Sequence, residues 1–232
     1  MTGRSPHGDG GDSRAGGGDR DLVSPTQRFD ARVQRRSGAV LRRRLIEQEL
    51  ESLSAALDSL AEDGSIERAS ARIVGARRRF ILGTGKSFGF AHLLAADLGA
   101  SLSQVTQIDG TLTPAIDILT EVRDTDVLVV FSLRRYRRET VGIGRAFVQA
   151  GGSLVLITDS EEGPLTDLAE VTVVVPTESA SYADSPTAVA SAAHLLAALT
   201  TASAKGARRR LHERDRVSAE LGLYLDPDQE PR

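Results

Sequence analysis

The sequence predicts an α/β fold, a three-layer sandwich around a five-stranded parallel sheet. Two observations predict it. From residue 80 onward, short near-continuous runs of β-branched and apolar residues alternate with helix-compatible segments, the pattern of strands covered on both faces. Two of these runs end in unusual turns, Gly83-Thr84-Gly85-Lys86-Ser87 and Ser132-Leu133-Arg134-Arg135-Tyr136-Arg137-Arg138-Glu139-Thr140. With strand order 2-1-3-4-5, those turns are neighbours where the order reverses, beyond the carboxyl ends of the strands, which is where such sheets hold ligands.

Residues 1–37 are rich in Gly, Asp, Arg and Ser. They bury too little apolar surface to offset the entropy of ordering, so a disordered tail is expected. Its aspartates interleave with its arginines, which argues against a nucleic-acid-binding arm. Residues 38–64 read as an N-terminal helix. Leu41, Leu45, Leu50, Leu53, Leu57 and Leu60 form an apolar stripe on it, and Arg42-Arg43-Arg44 read as a solvated face. Asp63-Gly64 ends this helix. Ser65 is the expected N-cap of the next, whose apolar face is Ile66, Ala69, Ile73 and Val74.

The α/β domain is expected to span residues 65–222, followed by a flexible C-terminus over 223–232. Its first strand is Phe80 to Leu82, followed by a helix from Phe88 to Leu98 that Gly99 closes. Gln104 to Ile108 alternates as a strand, and Thr113-Pro114 opens a helix running through Leu119. Asp126 to Phe131 is a fully apolar strand after its first residue, and Glu139 to Ala150 is a helix. Ser153 to Thr158 is the fourth strand, with a short helix after Gly163-Pro164. Val171 to Val175 is the fifth, stopped by Pro176. Asp184-Ser185-Pro186 caps a long helix from Thr187 to about Ala204, and a basic amphipathic helix from Arg208 to Leu221 closes the fold.

Composition narrows the function classes. A chain of 232 residues suits one domain plus extensions. Its formal net charge of −3 supplies no global basic field to draw it to nucleic acid. Cysteine is absent, so there is no thiolate nucleophile or thiolate metal site, and the missing thiols fit a cytoplasmic protein. No apolar run approaches the ~20 residues that span a bilayer, and no apolar stretch resembling a secretory signal opens the chain.

The glycine turn follows a strand and opens a helix, so free backbone N–H groups are placed to receive an anion. Lys86 adds charge and Ser87 a hydroxyl. Two nucleotide motifs are excluded by single residues. The leading glycine of a P-loop falls on Phe80, and the third glycine of a dinucleotide fingerprint falls on Phe88. In the second turn, arginine provides a planar fork that matches phosphate or carboxylate. At least one of Arg134, Arg135 and Arg137 is expected to meet the ligand, with Arg138 facing solvent. Tyr136 fits either a sugar-stacking role or a subunit contact.

At these residues a family emerges. Residues 80–87, Asp126-Val127-Leu128-Val129-Val130-Phe131-Ser132, Arg138-Glu139-Thr140, Leu156-Ile157-Thr158-Asp159 and Asp184-Ser185-Pro186-Thr187 occur in the order seen in one family. The segment from Ser65 to Leu221 resembles the SIS (sugar isomerase) domain, with its flavodoxin-like fold. It is most similar to the ligand-binding half of the RpiR/MurR group of bacterial regulators. The resemblance implies a five-stranded parallel sandwich, a homodimer or homotetramer, and a phosphosugar site between subunits. Gly83, Gly85, Ser87, Ser132 and Thr140 match its site residues. Together with Thr84, Lys86, Arg134, Arg135 and Arg137 they make the expected ligand-binding set. The chain departs from the family in two places. The usual second loop reads Ser-x-Ser-Gly-x-Thr, where this chain has Arg134-Arg135-Tyr136-Arg137 in the last four positions. A helix-turn-helix pattern is also missing before Val40, so direct DNA binding is not expected.

Catalysis by proton transfer at a sugar carbon needs a base. Glu178, past the fifth strand, and His194, mid-helix, are the candidates. His92 reads as a core or interface residue, and Glu139 as a helix N-terminal carboxylate. No metal cluster with suitable spacing is present and no cofactor is expected. Three readings therefore stand: a non-catalytic phosphosugar-binding protein, an aldose–ketose isomerase, and a regulator that reaches DNA through a partner or through Arg42 to Arg44 and the tail.

Overall fold

Five apolar runs form a parallel sheet in the order β2-β1-β3-β4-β5 in a computed structural model that describes residues 24–33 and 37–225. The strands are β1 (Arg79–Leu82), β2 (Val105–Ile108), β3 (Val127–Ser132), β4 (Ser153–Thr158) and β5 (Val171–Val174). The predicted order, with its reversal between β1 and β3, is present. Most of the expected tail, residues 1–23 and 34–36, lies outside the described residues.

Alternation along each strand explains the three layers. Ile81, Val129, Phe131, Val155, Ile157 and Val173 face one core, which α3 (Ser65–Gly75), α4 (Ser87–Ser101) and α7 (Thr187–Ser203) cover. Phe80, Leu82, Leu128, Val130, Leu154 and Leu156 face the other, under α5 (Ala115–Leu119) and α6 (Arg138–Gln149). Successive residues point to opposite faces, so a strand covered on both sides has no polar position to spare. Each large apolar side chain so buried contributes about 1.5–3 kcal/mol. The chain ends its described part with α8 (Ala207–Glu220).

Arginine also serves the fold. Arg79, buried in β1, donates to the carbonyls of Ile73 and Val74 at the end of α3 and to that of Ser103. It satisfies helix-terminal acceptors that would otherwise be orphaned, and burial lowers its pKa.

Three local expectations are corrected. Ser65 is not an N-cap; Gly64 is, in the left-handed region at φ 64°. The cap hydrogen bond comes instead from Asp63, whose Oδ1 accepts the Ser65 N–H at 2.7 Å. Gly99 does not close α4, which runs to Ser101. Leu98 and Leu102 are both buried, and that burial outweighs the ~1 kcal/mol cost of an internal glycine. The leucine stripe of α2 (Gly38–Asp63) is covered only near its end, where Ala56 and Leu60 are buried while Leu50 is exposed.

The described chain divides into two compact units. One comprises the described residues up to Glu49 together with Ser179–Asp184; the other comprises Leu50–Glu178 and the described residues from Ser185. Residues 24–33, expected in the tail, are helical in the first unit. Ser24 caps α1 (Pro25–Arg28) with a reciprocal Gln27 bond, and one π-helical turn follows over Phe29–Val33. Arg28 is buried and pairs with Asp184. Arg32 donates to the carbonyls of Ser179 and Ser181 at 2.7 and 3.0 Å, and Phe29 meets Tyr182 edge-on. The helical segment thus holds the 179–184 stretch from several directions.

Candidate functional site

The turn after β1 is shaped by its two glycines. A side chain on Gly83 would collide with the backbone carbonyl of Ser87, where α4 begins. Gly85 sits at φ +61°, a conformation costly for any residue with a Cβ. A Cβ there would also lie 2.5 Å from Nε and Nη2 of Arg137. The arginine from the loop after β3 therefore packs against the glycine turn after β1.

A second bond ties the two loops. Thr84 Oγ1 and Thr140 Oγ1 are 2.7 Å apart, hydroxyl to hydroxyl. Thr140 is buried in the first turn of α6.

The four arginines of the loop have different surroundings. The Arg134 N–H donates to Asp159 Oδ1 at 3.1 Å, and its Nε lies 3.7 Å from Oδ2. Tyr136 O–H donates to the same carboxylate at 3.1 Å. Burial pushes the Tyr136 phenol up, and the neighbouring Asp159 charge pushes it further. The Tyr136 hydroxyl is thus engaged within the chain. All four arginine side chains are exposed. Arg137 alone of the four lines the cavity between the loops.

That cavity holds about 340 Å³. Leu82, Ile108, Ala115 and Ile143 give it an apolar lining; Gly83, Thr84, Gly85, Arg137, Glu139 and Asp109 give it polar groups. Asp109 is committed to its own loop. Its Oδ1 accepts the N–H groups of Thr111, Leu112 and Thr113 at 2.8–2.9 Å, and these bonds hold its pKa below the usual carboxylate range. Glu139, in the first turn of α6, is exposed.

The structure thus brings together Gly83, Thr84, Gly85 and Arg137 from the expected set. Lys86, Ser87, Ser132, Arg134, Arg135 and Thr140 do not line this cavity, although Thr140 bonds to Thr84, which does. Ser132 is buried with its Oγ unpartnered. Glu178 is exposed and lines a different cavity, of about 710 Å³, beside Asp63, Arg68, Asp159 and Glu161. His194 is exposed on α7 and lines neither cavity. His92, expected in a core or interface, is exposed; its Nδ1 is 3.0 Å from Gln107 Oε1 and its ring stacks on Phe88. Sequence reasoning missed Asp109 as a site-shaping residue. The signal was present as Asp109-Gly110 directly after β2, an aspartate turn signature. Among the described residues, no group of His, Asp and Glu is arranged to hold a metal ion, and no single helix is long and apolar enough to cross a membrane.

A family model described as SIS domain matches residues 72–204. Among solved structures, the chain is similar to the sugar isomerase domain of an RpiR transcription factor from Sphaerobacter thermophilus. The identity is 25%, with 74% of this chain and 96% of that chain covered, at a TM-score of 0.68. It shares its fold with the Vibrio vulnificus NanR protein complexed with ManNAc-6P, at 17% identity, 79% and 72% coverage and TM-score 0.63. It likewise shares the fold of a Methanococcus jannaschii protein whose structure infers a 3-hexulose-6-phosphate isomerase function, at 17% identity, 78% and 99% coverage and TM-score 0.54. No curated protein matches the chain.

Proposed function

The chain belongs to the SIS domain family, and from that premise we propose that it is a sensing protein that binds a phosphorylated sugar or related anionic carbohydrate derivative without transforming it. One observation carries this reading: the glycine turn after β1 and Arg137 from the loop after β3 line the same cavity. A guanidinium beside backbone N–H groups at the switch point of a parallel sheet favours an anion. The apolar lining suits the carbon face of a sugar. Glu178 and His194, the expected bases, lie away from that cavity, which supports binding over proton transfer.

The reading includes a cytoplasmic homodimer or homotetramer, and a ligand-dependent change in how its subunits pair that a partner, including a DNA-binding one, reads. Calorimetric titration with a panel of sugar phosphates and sugar acids tests the binding. If no member binds below millimolar concentration, the reading is removed. Light scattering with and without ligand tests the assembly.

A second reading, aldose–ketose isomerisation, is favoured by one observation, the Glu139 carboxylate lining the cavity. Solvent deuterium entering a bound sugar phosphate, followed by NMR and abolished in Glu139→Gln, would establish it.

A further inference from the structure

The charges of the cavity distinguish between kinds of anion. Among its described lining residues Arg137 is the one cation, and Glu139 and Asp109 are both carboxylates. A phosphate monoester carrying nearly two negative charges would meet one guanidinium and two like charges in a small space. A carboxylate carries one, so it meets less repulsion there, while the guanidinium fork still binds it with two parallel hydrogen bonds as it would a phosphate. Hydroxyl donors, which suit a tetrahedral phosphate, are scarce here. Thr84 and Thr140 bond to each other, and Ser87 and Ser132 do not line the cavity.

The Arg137 side chain is exposed, and its guanidinium lies against the glycine turn. It lies where a Gly85 side chain would be, so the glycine is what admits it beside the turn. No hydrogen bond or ion pair of its side chain is recorded among the described residues. Arg134, by contrast, is tied to Asp159.

We propose that the cavity selects a sugar acid: Arg137 is the specificity-determining residue and reads the ligand's carboxylate, while Glu139 accepts hydrogen bonds from sugar hydroxyls. The inference rests on the binding reading above and narrows it from an anionic carbohydrate to a carboxylated one.

The test is calorimetric titration of the full chain with hexose 6-phosphates, hexuronates, aldonates and 6-phosphoaldonates, repeated with Arg137→Thr, Arg137→Lys and Gly85→Ala. At least one carboxylated sugar is expected to bind about tenfold tighter than the matched hexose phosphate lacking the carboxylate. Arg137→Thr and Gly85→Ala are expected to abolish that preference. Arg137→Lys keeps the charge without the fork and is expected to restore little of it. Thermal unfolding of Arg137→Thr is expected to match the parent, which separates lost recognition from lost folding. Hexose phosphates binding as tightly as every acid, or an unchanged preference in Arg137→Thr, overturn the inference while leaving the binding reading in place. Failure of every panel member to bind overturns both.

Discussion

Thr84 and Thr140, 56 residues apart in the chain, share a hydrogen bond of 2.7 Å between their hydroxyls. The first belongs to the turn after β1 and the second to the opening turn of α6. The bond fixes the distance between the two loops that flank the cavity. It uses one of the two hydroxyl protons, and the accepting hydroxyl keeps its own. Thr140→Val keeps the shape and leaves the Thr84 hydroxyl unpaired in a partly buried place, at a cost of about 1–2 kcal/mol. Removing both hydroxyls in Thr84→Val with Thr140→Val costs less than the sum of the single changes, because no group is left unsatisfied. Urea unfolding of the four proteins measures this coupling. Strict additivity would mean that the bond contributes nothing to the native state.

Asp159 gives the arginine loop its shape, and Tyr136 reports on it. The phenol is half-buried and donates to the Asp159 carboxylate, and partial burial followed by that charge raises its pKa above the ordinary value near 10. A phenol whose folded pKa is raised supports stability fully below the unfolded value. That support is lost as pH rises from about 10 through the folded pKa. Of the chain's 3 tyrosines, Tyr136 is therefore expected to ionise late in the native protein. Spectrophotometric titration should show a late component that vanishes in Tyr136→Phe. In Asp159→Asn it should move down, though not fully, since burial remains. A native titration curve unchanged by Tyr136→Phe would contradict this.

The same aspartate shows where sequence reading stops. The strands were legible because Val127 to Phe131 and Leu154 to Ile157 must be apolar to lie between two helical layers. The turns were legible because paired glycines mark a tight turn and four arginines crowd into residues 134–138. The division of labour among the arginines was not. It depends on the β3–β4 register, which pairs Ser132 with Thr158 and so places Asp159 beside the start of the loop. Nothing local to Arg134 encodes a partner 25 residues onward. Nor did the glycine-rich composition of the first 37 residues reveal the helix at Pro25–Arg28, although Ser24-Pro25-Thr26-Gln27 carries a capping box. Its partners, Ser179, Ser181 and Asp184, are about 150 residues away and no local pattern announces them.

That helical segment is expected to govern the order of residues 179–184. Arg28 is buried against Asp184, and Arg32 holds two carbonyls of the same stretch. Arg28→Ala removes one partner of a partly buried pair, lowering local stability by about 1–2 kcal/mol and raising local opening about tenfold. Hydrogen exchange of the amides in 179–184 should accelerate accordingly, and limited proteolysis should cut there first. Exchange at the parent rate would show that the segment rests on the 179–184 stretch without ordering it.

Asp126, at the opposite end of the sheet from the cavity, sets the acid limit of the fold. It is fully buried just before β3 and accepts from Arg78 Nε at 3.1 Å, Arg78 Nη2 at 2.6 Å and the Arg123 N–H at 2.8 Å. Burial alone would raise its pKa. The Arg78 hydrogen bonds and charge, with the Arg123 amide, outweigh that and hold it below the ordinary value. A carboxylate depressed in the folded state contributes stability above its unfolded pKa of about 3.9, and the contribution is lost as pH falls from there through the folded value. The protein should therefore lose stability steeply below about pH 4, and Asp126→Asn should flatten that slope while lowering stability at neutral pH. Asp126→Ala should cost about 3 kcal/mol, at the low end for a broken buried pair, because Arg78 retains some solvent and Glu121 as a second partner. Urea midpoints measured from pH 3 to pH 7 decide it: parallel curves for the parent and Asp126→Asn would show that the acid sensitivity originates in another carboxylate.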